Sequence, residues 1–182
     1  MDIFTQGLET ERMYLVPLHE KYVEDMFYGL DEEITKYMTP SPAKEIQATK
    51  DWCLGAIKSM QNKERILLLG ITKNTEEFIG SFDINGLGNN ALKAGLWIKQ
   101  SSHGNRYGRE GMLALIQRLR ENIDFEYILF PVDKDNIPSR KVAEFADGVL
   151  DVDKNWDEIV TKKATQDPKK ILNVVHYRIY KK

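Results

Sequence analysis

Residues 93–111 read Lys93-Ala94-Gly95-Leu96-Trp97-Ile98-Lys99-Gln100-Ser101-Ser102-His103-Gly104-Asn105-Arg106-Tyr107-Gly108-Arg109-Glu110-Gly111. The stretch Ala91 to Lys99 has the character of a strand, and from Gly108 the period becomes helical, with Met112, Leu115, Ile116, Leu119 and Ile123 on one face. A strand that runs into a glycine-containing loop and then a helix turns several unpaired N–H groups toward one spot. The positive end of the helix dipole adds to them, and together they suit a pyrophosphate. Arg106 and Arg109 bring charge-assisted bonds, while Gly104 and Gly108 let backbone approach a ligand closely. The stretch is neither the nucleotide P-loop, since no Gly-Lys-Ser/Thr follows, nor a G-x-G-x-x-G fingerprint. Taken alone, it reads more simply as an ordinary strand-to-helix turn.

Outward from this stretch the pattern alternates between strands and helices. On the N-terminal side, Met13 to Leu18 is a short strand closed by Pro17, and His19 to Leu30 places Tyr22, Val23, Met26, Phe27 and Leu30 on one helical face. Tyr37 to Ala43, with Pro40 and Pro42, is loop. Lys44 to Asn62 is a second helix, with Ile46, Cys53, Leu54, Ile57 and Met60 inward. Arg65 to Thr72 and Glu77 to Ile84 form a hairpin, and Asn85 to Asn90 turns into the strand that opens at Ala91. On the C-terminal side, Tyr127 to Val132 is a strand and Ile137 to Ala146 a short helix. Trp156 to Lys162 and Leu172 to Tyr180 make a closing antiparallel pair. A meander followed by a strand-helix-strand segment implies an α/β (or α+β) single domain over residues 1–182, with a mixed sheet and helices on both faces.

Composition sets the outer limits. A 42% apolar content builds a sizeable core and 30% charged residues an ordinary soluble surface. A net charge of −2 argues against a nucleic-acid binder that works through bulk electrostatics. The single cysteine, Cys53, excludes an intrachain disulfide and any multi-cysteine metal site. The start, MDIFTQGLETERMYLV, lacks the basic and apolar blocks of a secretory signal, and the longest apolar run, Ile66 to Ile71, is too short to cross a bilayer. A soluble cytoplasmic protein is expected, with neither membrane nor nucleic acid as partner, as a monomer or homodimer. His19 and His176 show no metal-ligand spacing, so no metal is expected, and the acid runs Asp31-Glu32-Glu33 and Glu76-Glu77 read as solvated surface.

Five segments in order then resemble one family. Leu8-Glu9-Thr10-Glu11-Arg12-Met13-Tyr14-Leu15 is similar to a T-E-R-L opening strand, and Phe78-Ile79-Gly80 carries an I-G step. Lys93-Ala94-Gly95-Leu96-Trp97-Ile98 resembles E-I-G-Y-W-I, His103 to Gly111 resembles Q-G-K-G-Y-A-T-E-A, and Asn136-Ile137-Pro138-Ser139 resembles N-x-x-S before a helix. On these residues, from Leu8 to about Gly148, the chain resembles the GNAT superfamily of N-acetyltransferases, in its ribosomal-protein N-terminal (serine/alanine) acetyltransferase branch; the C-terminal hairpin, residues 155–181, agrees in pattern only. The departures are Arg106 for the loop's second glycine, His103 for glutamine or arginine, Lys93 for a glutamate, and Gly148 in place of a glycine at 147. The last predicts a distorted helix end. At 106 a backbone amide remains, so the cradle survives unless that site needs a positive φ.

The resemblance implies a mostly antiparallel twisted sheet splayed at the family's fourth and fifth strands, with a bulge near Gly95. It implies acetyl-CoA as co-substrate, bound by Leu96, Trp97 and Ile98 along the strand and by His103, Gly104, Asn105, Arg106, Tyr107, Gly108 and Arg109 in the loop. Asn136 and Ser139 hold the pantetheine arm. In this family the amine attacks the thioester directly, so Cys53 is read as core, and a backbone N–H near Leu96 serves the oxyanion. Ser139 is the candidate to protonate the departing thiolate; the tyrosine some members use four residues on is Ala143 here. The alternative for Ser139 is a helix N-cap. An α-amine has a pKa near 8, so a weak base suffices. Asp83 is the first candidate, followed by Glu9 and Glu110; Glu110 also reads as a first-turn acid facing the helix dipole. Trp97's ring reads as core. The expected function is acetyl transfer to a primary amine, first a protein N-terminus. The alternatives are acetylation of a small amine such as a polyamine or aminoglycoside, which favours an acidic cleft, and a non-catalytic acyl-CoA-binding domain.

Overall fold

The sheet grows from alternating runs that bury both faces. The computed structural model describes residues 6–155 and 157–181. Its strands are β1 (Leu8–Glu9), β2 (Met13–Pro17), β3 (Arg65–Thr72), β4 (Phe78–Asn85), β5 (Ala91–Ile98), β6 (Tyr127–Asp133), β7 (Val149–Leu150), β8 (Thr161–Ala164) and β9 (Ile171–Tyr180). Among the described residues they form one sheet in the order β1-β2-β3-β4-β5-β6-β9-β7, with β8 also on β9. Every pairing is antiparallel except β5–β6.

Among the described residues, the helices that flank the sheet are α1 (Val23–Gly29), α2 (Glu32–Thr35), α3 (Ile46–Gln61), α4 (Tyr107–Asn122) and α5 (Ile137–Phe145). On one face α4 and α5 pack Met112, Leu115, Ile116 and Ala143 against Phe82, Ile84, Leu92 and Phe130. On the other, α1 and α3 pack Val23, Met26, Cys53 and Met60 against Leu67, Leu69, Phe78 and Trp97. Burial of such faces, at roughly 25 cal/mol per Å², drives the two-sided assembly. Two glycines bring α4 close to the sheet, since an added Cβ would stand 2.9 Å from Leu96 Cδ1 at Gly108 and 2.4 Å from Phe82 Cζ at Gly111.

The mixed, mostly antiparallel sheet and the helices on both faces agree with expectation; several details do not. Ile46 and Leu54 are largely exposed instead of inward, and α3 buries Cys53, Ala56 and Met60. The Asp31-Glu32-Glu33 run is exposed, as expected, and in addition opens α2, with the Asp31 carboxylate accepting the Ile34 N–H at 2.8 Å. The first strand of the closing pair is Thr161–Ala164, not Trp156 to Lys162, and Trp156 lies outside the described residues. The bulge is not at Gly95, whose strand pairs with β4 in unbroken register from 93 to 98. It sits in β4, where the pairing steps from Ile71–Phe78 to Gly70–Gly80 and leaves Ile79 extra. Gly80 there adopts φ 148°, and a Cβ would lie 2.1 Å from the Trp97 carbonyl oxygen.

The end of α5 is regular. Asp147 takes φ 61°, its N–H reaches the Glu144 carbonyl at 3.1 Å, and the Gly148 N–H reaches that of Ala143 at 2.9 Å. That is a full Schellman closure with an aspartate in the left-handed position. Gly148 is needed for proximity, since a Cβ would stand 2.7 Å from the Ala143 oxygen.

Candidate functional site

The parallel ladder between β5 and β6 holds for three pairs, Ala91–Tyr127, Leu92–Ile128 and Lys93–Leu129, and then opens. Pro131 stands just past the last pair and brings no N–H to either neighbour. The Lys99 N–H bonds to the Ile79 carbonyl at 2.8 Å, which puts 99, 97 and 95 in bonded pairs with β4. By the antiparallel alternation, Trp97 turns its backbone to β4, and Leu96 and Ile98 turn theirs into the gap. His103 donates its Nε2–H to the Ile98 carbonyl at 2.7 Å, tying the loop to the gap's edge. Trp97's ring packs in the core, 8% exposed and edge-on to Phe78 at 5.6 Å.

Beyond the gap, the loop is built to present donors. Gly104 takes φ 79°, and Asn105 Nδ2 bonds the carbonyls of Ser102 and His103. Arg106 is the N-cap residue of α4 at φ 63°, so this site does use the left-handed region where the related pattern has glycine. It makes no side-chain cap, and the first intrahelical bond runs from Glu110 N–H to the Arg106 carbonyl. The N–H groups of Tyr107, Gly108 and Arg109 are therefore left for a ligand. Arg12 braces this arrangement. Its guanidinium bonds Glu110 and, at 3.0 Å, the Asn105 carbonyl, and lies 4.7 Å from the Tyr107 ring centroid. The Thr10 hydroxyl donates to Glu110 at 2.6 Å. Burial opposes the Glu110 charge, but these donors and the Arg12 N–H hold its carboxyl below the usual range. Glu110 is thus a brace, and Glu9, paired with Lys73, lines neither of the two cavities that meet at this gap.

The larger cavity, about 1120 Å³, runs from Leu96, Trp97 and Ile98 past His103, Gly104 and Arg106–Arg109 to Ser139 and Lys141. Its free helix N–H groups, open backbone groups and cations at Arg106, Arg109 and Lys141 fit the pyrophosphate and amide-bearing arm of coenzyme A. Arg109 stacks on Phe145 at 4.1 Å. The second cavity, about 550 Å³, lies on the side of α1 and α3 and is lined by the 37–43 loop, Trp52, Arg65, Asp83, Lys93 and Lys163. Tyr37, Met38, Leu96, Trp97, Asn136 and Ser139 line both. The β8–β9 hairpin closes the smaller one, with Ser41 N–H bonded to Gln166 Oε1 at 3.0 Å and Lys170 Nζ to the Thr35 carbonyl at 2.9 Å.

Asn136 is the cap of α5, its Oδ1 accepting the Ser139 N–H at 3.2 Å. Ser139 is therefore not the cap, and its hydroxyl has no hydrogen-bond partner among the described residues. Asp83 is gripped by Arg65 at 2.7 and 2.9 Å and by Asn85 Nδ2 at 2.7 Å, so three of its acceptor positions are taken. Burial pushes the Cys53 thiol up to about 11, and it lines neither cavity. Among the described residues no helix is long and apolar enough to cross a membrane, and no group of three His, Cys, Asp or Glu is placed to hold a metal. Sequence reasoning missed Thr10 and Arg12 as supports of the loop, and Arg65, Lys93 and Lys163 as cavity walls.

Comparison with known proteins agrees. No curated protein matches the sequence. Among solved structures, RimL, a ribosomal L7/L12 alpha-N-protein acetyltransferase in complex with coenzyme A, is 18% identical, with a TM-score of 0.78 over 94% of this chain and 95% of that one. An acetyl transferase from Salmonella typhimurium that modifies the N-terminal serine of ribosomal protein L7/L12 is also 18% identical, with a TM-score of 0.78 over 94% and 96%. The microcin C7 self-immunity acetyltransferase MccE, in complex with acetyl-CoA and AMP, is 18% identical with a TM-score of 0.78 over 93% of each chain. These likenesses are of fold, while the acetyltransferase (GNAT) domain model matches the sequence itself over residues 12–147. The chain belongs to the GNAT acetyltransferase family and is an N-acetyltransferase that takes its acetyl group from acetyl-CoA.

Proposed function

We propose that this enzyme acetylates the α-amine of a protein N-terminus by direct attack on the thioester. The observation that carries this is the meeting of two cavities at Leu96, Trp97, Asn136 and Ser139, one sized for coenzyme A and one open to a second substrate. The smaller cavity has three cationic side chains, Arg65, Lys93 and Lys163, against Asp83 and Asp133. That balance disfavours a polyamine or aminoglycoside, which needs an acidic wall. RimL and the Salmonella enzyme, of the same fold, act on a ribosomal protein N-terminus.

Acetyl-CoA supplies an activated acyl group whose carbonyl gains negative charge under attack. Leu96 and Ile98 N–H groups, freed by the open ladder, bind the donor's amide arm and stabilise that charge. The loop from His103 to Arg109 holds the pyrophosphate through the N–H groups of Tyr107, Gly108 and Arg109, with Arg106 adding charge. Ser139 offers its hydroxyl proton to the departing sulfur. Asp83, with one acceptor position left, orients the amine, and its proton leaves through water, as a group of pKa near 8 permits.

The test is an acceptor screen with acetyl-CoA, read by thiol release and mass spectrometry. It spans peptides with free and blocked N-termini, polyamines and aminoglycosides. Acetylation confined to free N-termini is expected; turnover of polyamines or aminoglycosides alone overturns the assignment. Ser139→Ala is expected to lower kcat by about 10²-fold with little change in the KM for acetyl-CoA. An unchanged kcat removes Ser139 as the acid.

A further inference from the structure

Two lysines of the acceptor cavity lack a counter-charge. Arg65 is spent on Asp83, and Asp133, 5% exposed, is spent on the N–H groups of Asp135 at 3.0 Å and Asn173 at 2.8 Å. Lys93, on β5, and Lys163, on β8, line the same cavity and have no ion-pair partner among the described residues. Burial, with the charge of Lys93 added, pulls Lys163 below the ordinary lysine range. Two like charges gathered around one cavity cost free energy that a bound anion offsets.

Their position along the strand sets a distance. Gly95 is the partner of Asp83 across the β4–β5 ladder, and Lys93 lies two residues along on the same face of the sheet. At the usual strand rise, that places Lys93 roughly 7 Å from the level of Asp83 and farther from the reacting end at Leu96.

We propose that the acceptor is an amine that also carries an anionic group, the amine directed to Asp83 and the anion received between Lys93 and Lys163. Resting on the assignment of a protein N-terminus as acceptor, this selects acidic N-terminal segments, with a carboxylate at the second or third residue. A phosphate on a small amine is the other source of the same chemistry.

The experiment uses peptides with a free N-terminal serine followed by two aspartates, two asparagines or two lysines, and in parallel phosphoethanolamine against ethanolamine. Each is assayed with acetyl-CoA, and its binding to the CoA-saturated enzyme is measured by calorimetry. The wild type is expected to favour the aspartate peptide over the asparagine one by about tenfold in kcat/KM, as two partly screened charge contacts give. Lys93→Met/Lys163→Met is expected to erase that ratio, and Lys93→Glu/Lys163→Glu to turn the preference toward the lysine peptide. Because each variant is judged by its own ratio, a general loss of activity cancels. Equal treatment of charged and neutral acceptors by the wild type, in turnover and in binding, overturns the proposal; so does a ratio that survives in the double Met variant. Lysine-dependent preference for phosphoethanolamine with no peptide turned over rejects the protein N-terminus while upholding the anion site.

Discussion

Arg106 occupies a left-handed position, φ 63°, at the start of the 16-residue helix α4, and its side chain is exposed beside the coenzyme cavity. Backbone strain and charge are therefore separable there. A non-glycine residue in this region costs about 1 kcal/mol, and glycine returns part of that gain through its freedom in the unfolded chain, about 0.5 kcal/mol. Arg106→Gly is thus expected to be more stable than Arg106→Ala by about 0.5–1 kcal/mol, because alanine keeps the strain. For 182 residues, an unfolding entropy near 2.1 cal/mol/K per residue makes that a difference of about 1–3 °C in Tm. Both variants lose the same charge, expected to weaken acetyl-CoA binding by about two- to fivefold at low salt and less at high salt. The assay is thermal melting of wild type and both variants, with acetyl-CoA titrations at two salt concentrations. Equal melting temperatures for the glycine and alanine variants refute the strain argument. Affinities unchanged in both at low salt refute the role of the charge.

At Gly111, valine would drive a Cβ to 2.4 Å from the fully buried Phe82 ring, so Gly111→Val is expected to cost about 2–3 kcal/mol by urea unfolding, with partial rescue by Phe82→Leu. Arg12→Ala removes the brace on Asn105 and Glu110 and is expected to raise the KM for acetyl-CoA more than it lowers kcat; the reverse pattern counts against a positioning role. The Glu110 carboxyl is held low in the folded state, so the stability it contributes is present above its unfolded pKa and is lost as pH falls through the folded one. Glu110→Gln is therefore expected to be less stable than wild type at pH 7, by about 1–2 kcal/mol of charge-assisted hydrogen bonding, and to converge with it below about pH 4. Parallel urea curves at both pH values check this, and a gap that stays constant contradicts it.

Much of this fold was legible because burial period is a local property. The strands of the Arg65–Ile98 meander and the face of Met112, Leu115, Ile116 and Leu119 follow from alternation and 3.6-residue spacing alone. The open ladder had a visible signal in Pro131, a strand residue without an N–H, but only topology shows that its neighbour there is β5. The positive φ at Arg106 and Asp147 is not announced by the residues themselves, since both carry side chains, and only the glycines of the resembling pattern at these positions pointed to it. The brace from Thr10 and Arg12 spans about a hundred residues of sequence, and so no spacing rule detects it. The acceptor cavity is harder still. Its walls come from the 37–43 loop, from β3 to β5 and from the β8–β9 hairpin, which become neighbours only when β9 pairs with β6.

That last dependence bears on how such an enzyme can change acceptor while keeping its donor. The cavity proposed for the coenzyme is lined by β5, the loop, the helices α4 and α5 and residues of 33–38, all within the stretch that matches the family, and is braced by Arg12 and by Thr10 just before it. The acceptor cavity borrows Lys163, Gln166, Leu172 and Val174 from beyond residue 147, where the family model no longer applies. The two share a wall at Leu96, Trp97, Asn136 and Ser139 and, from the early loop, at Tyr37 and Met38. Substitutions of hairpin side chains that line the smaller cavity alone, Lys163 first among them, can thus alter which amine is accepted while the groups proposed to hold the donor stay in place. An exchange of Lys163 for an acidic residue should shift acceptor kcat/KM several-fold, as one partly buried charge contact allows, and leave acetyl-CoA affinity within about twofold. Equal losses for donor and acceptor would mean that the hairpin supports the whole site, and that the separation of the two cavities has no functional weight.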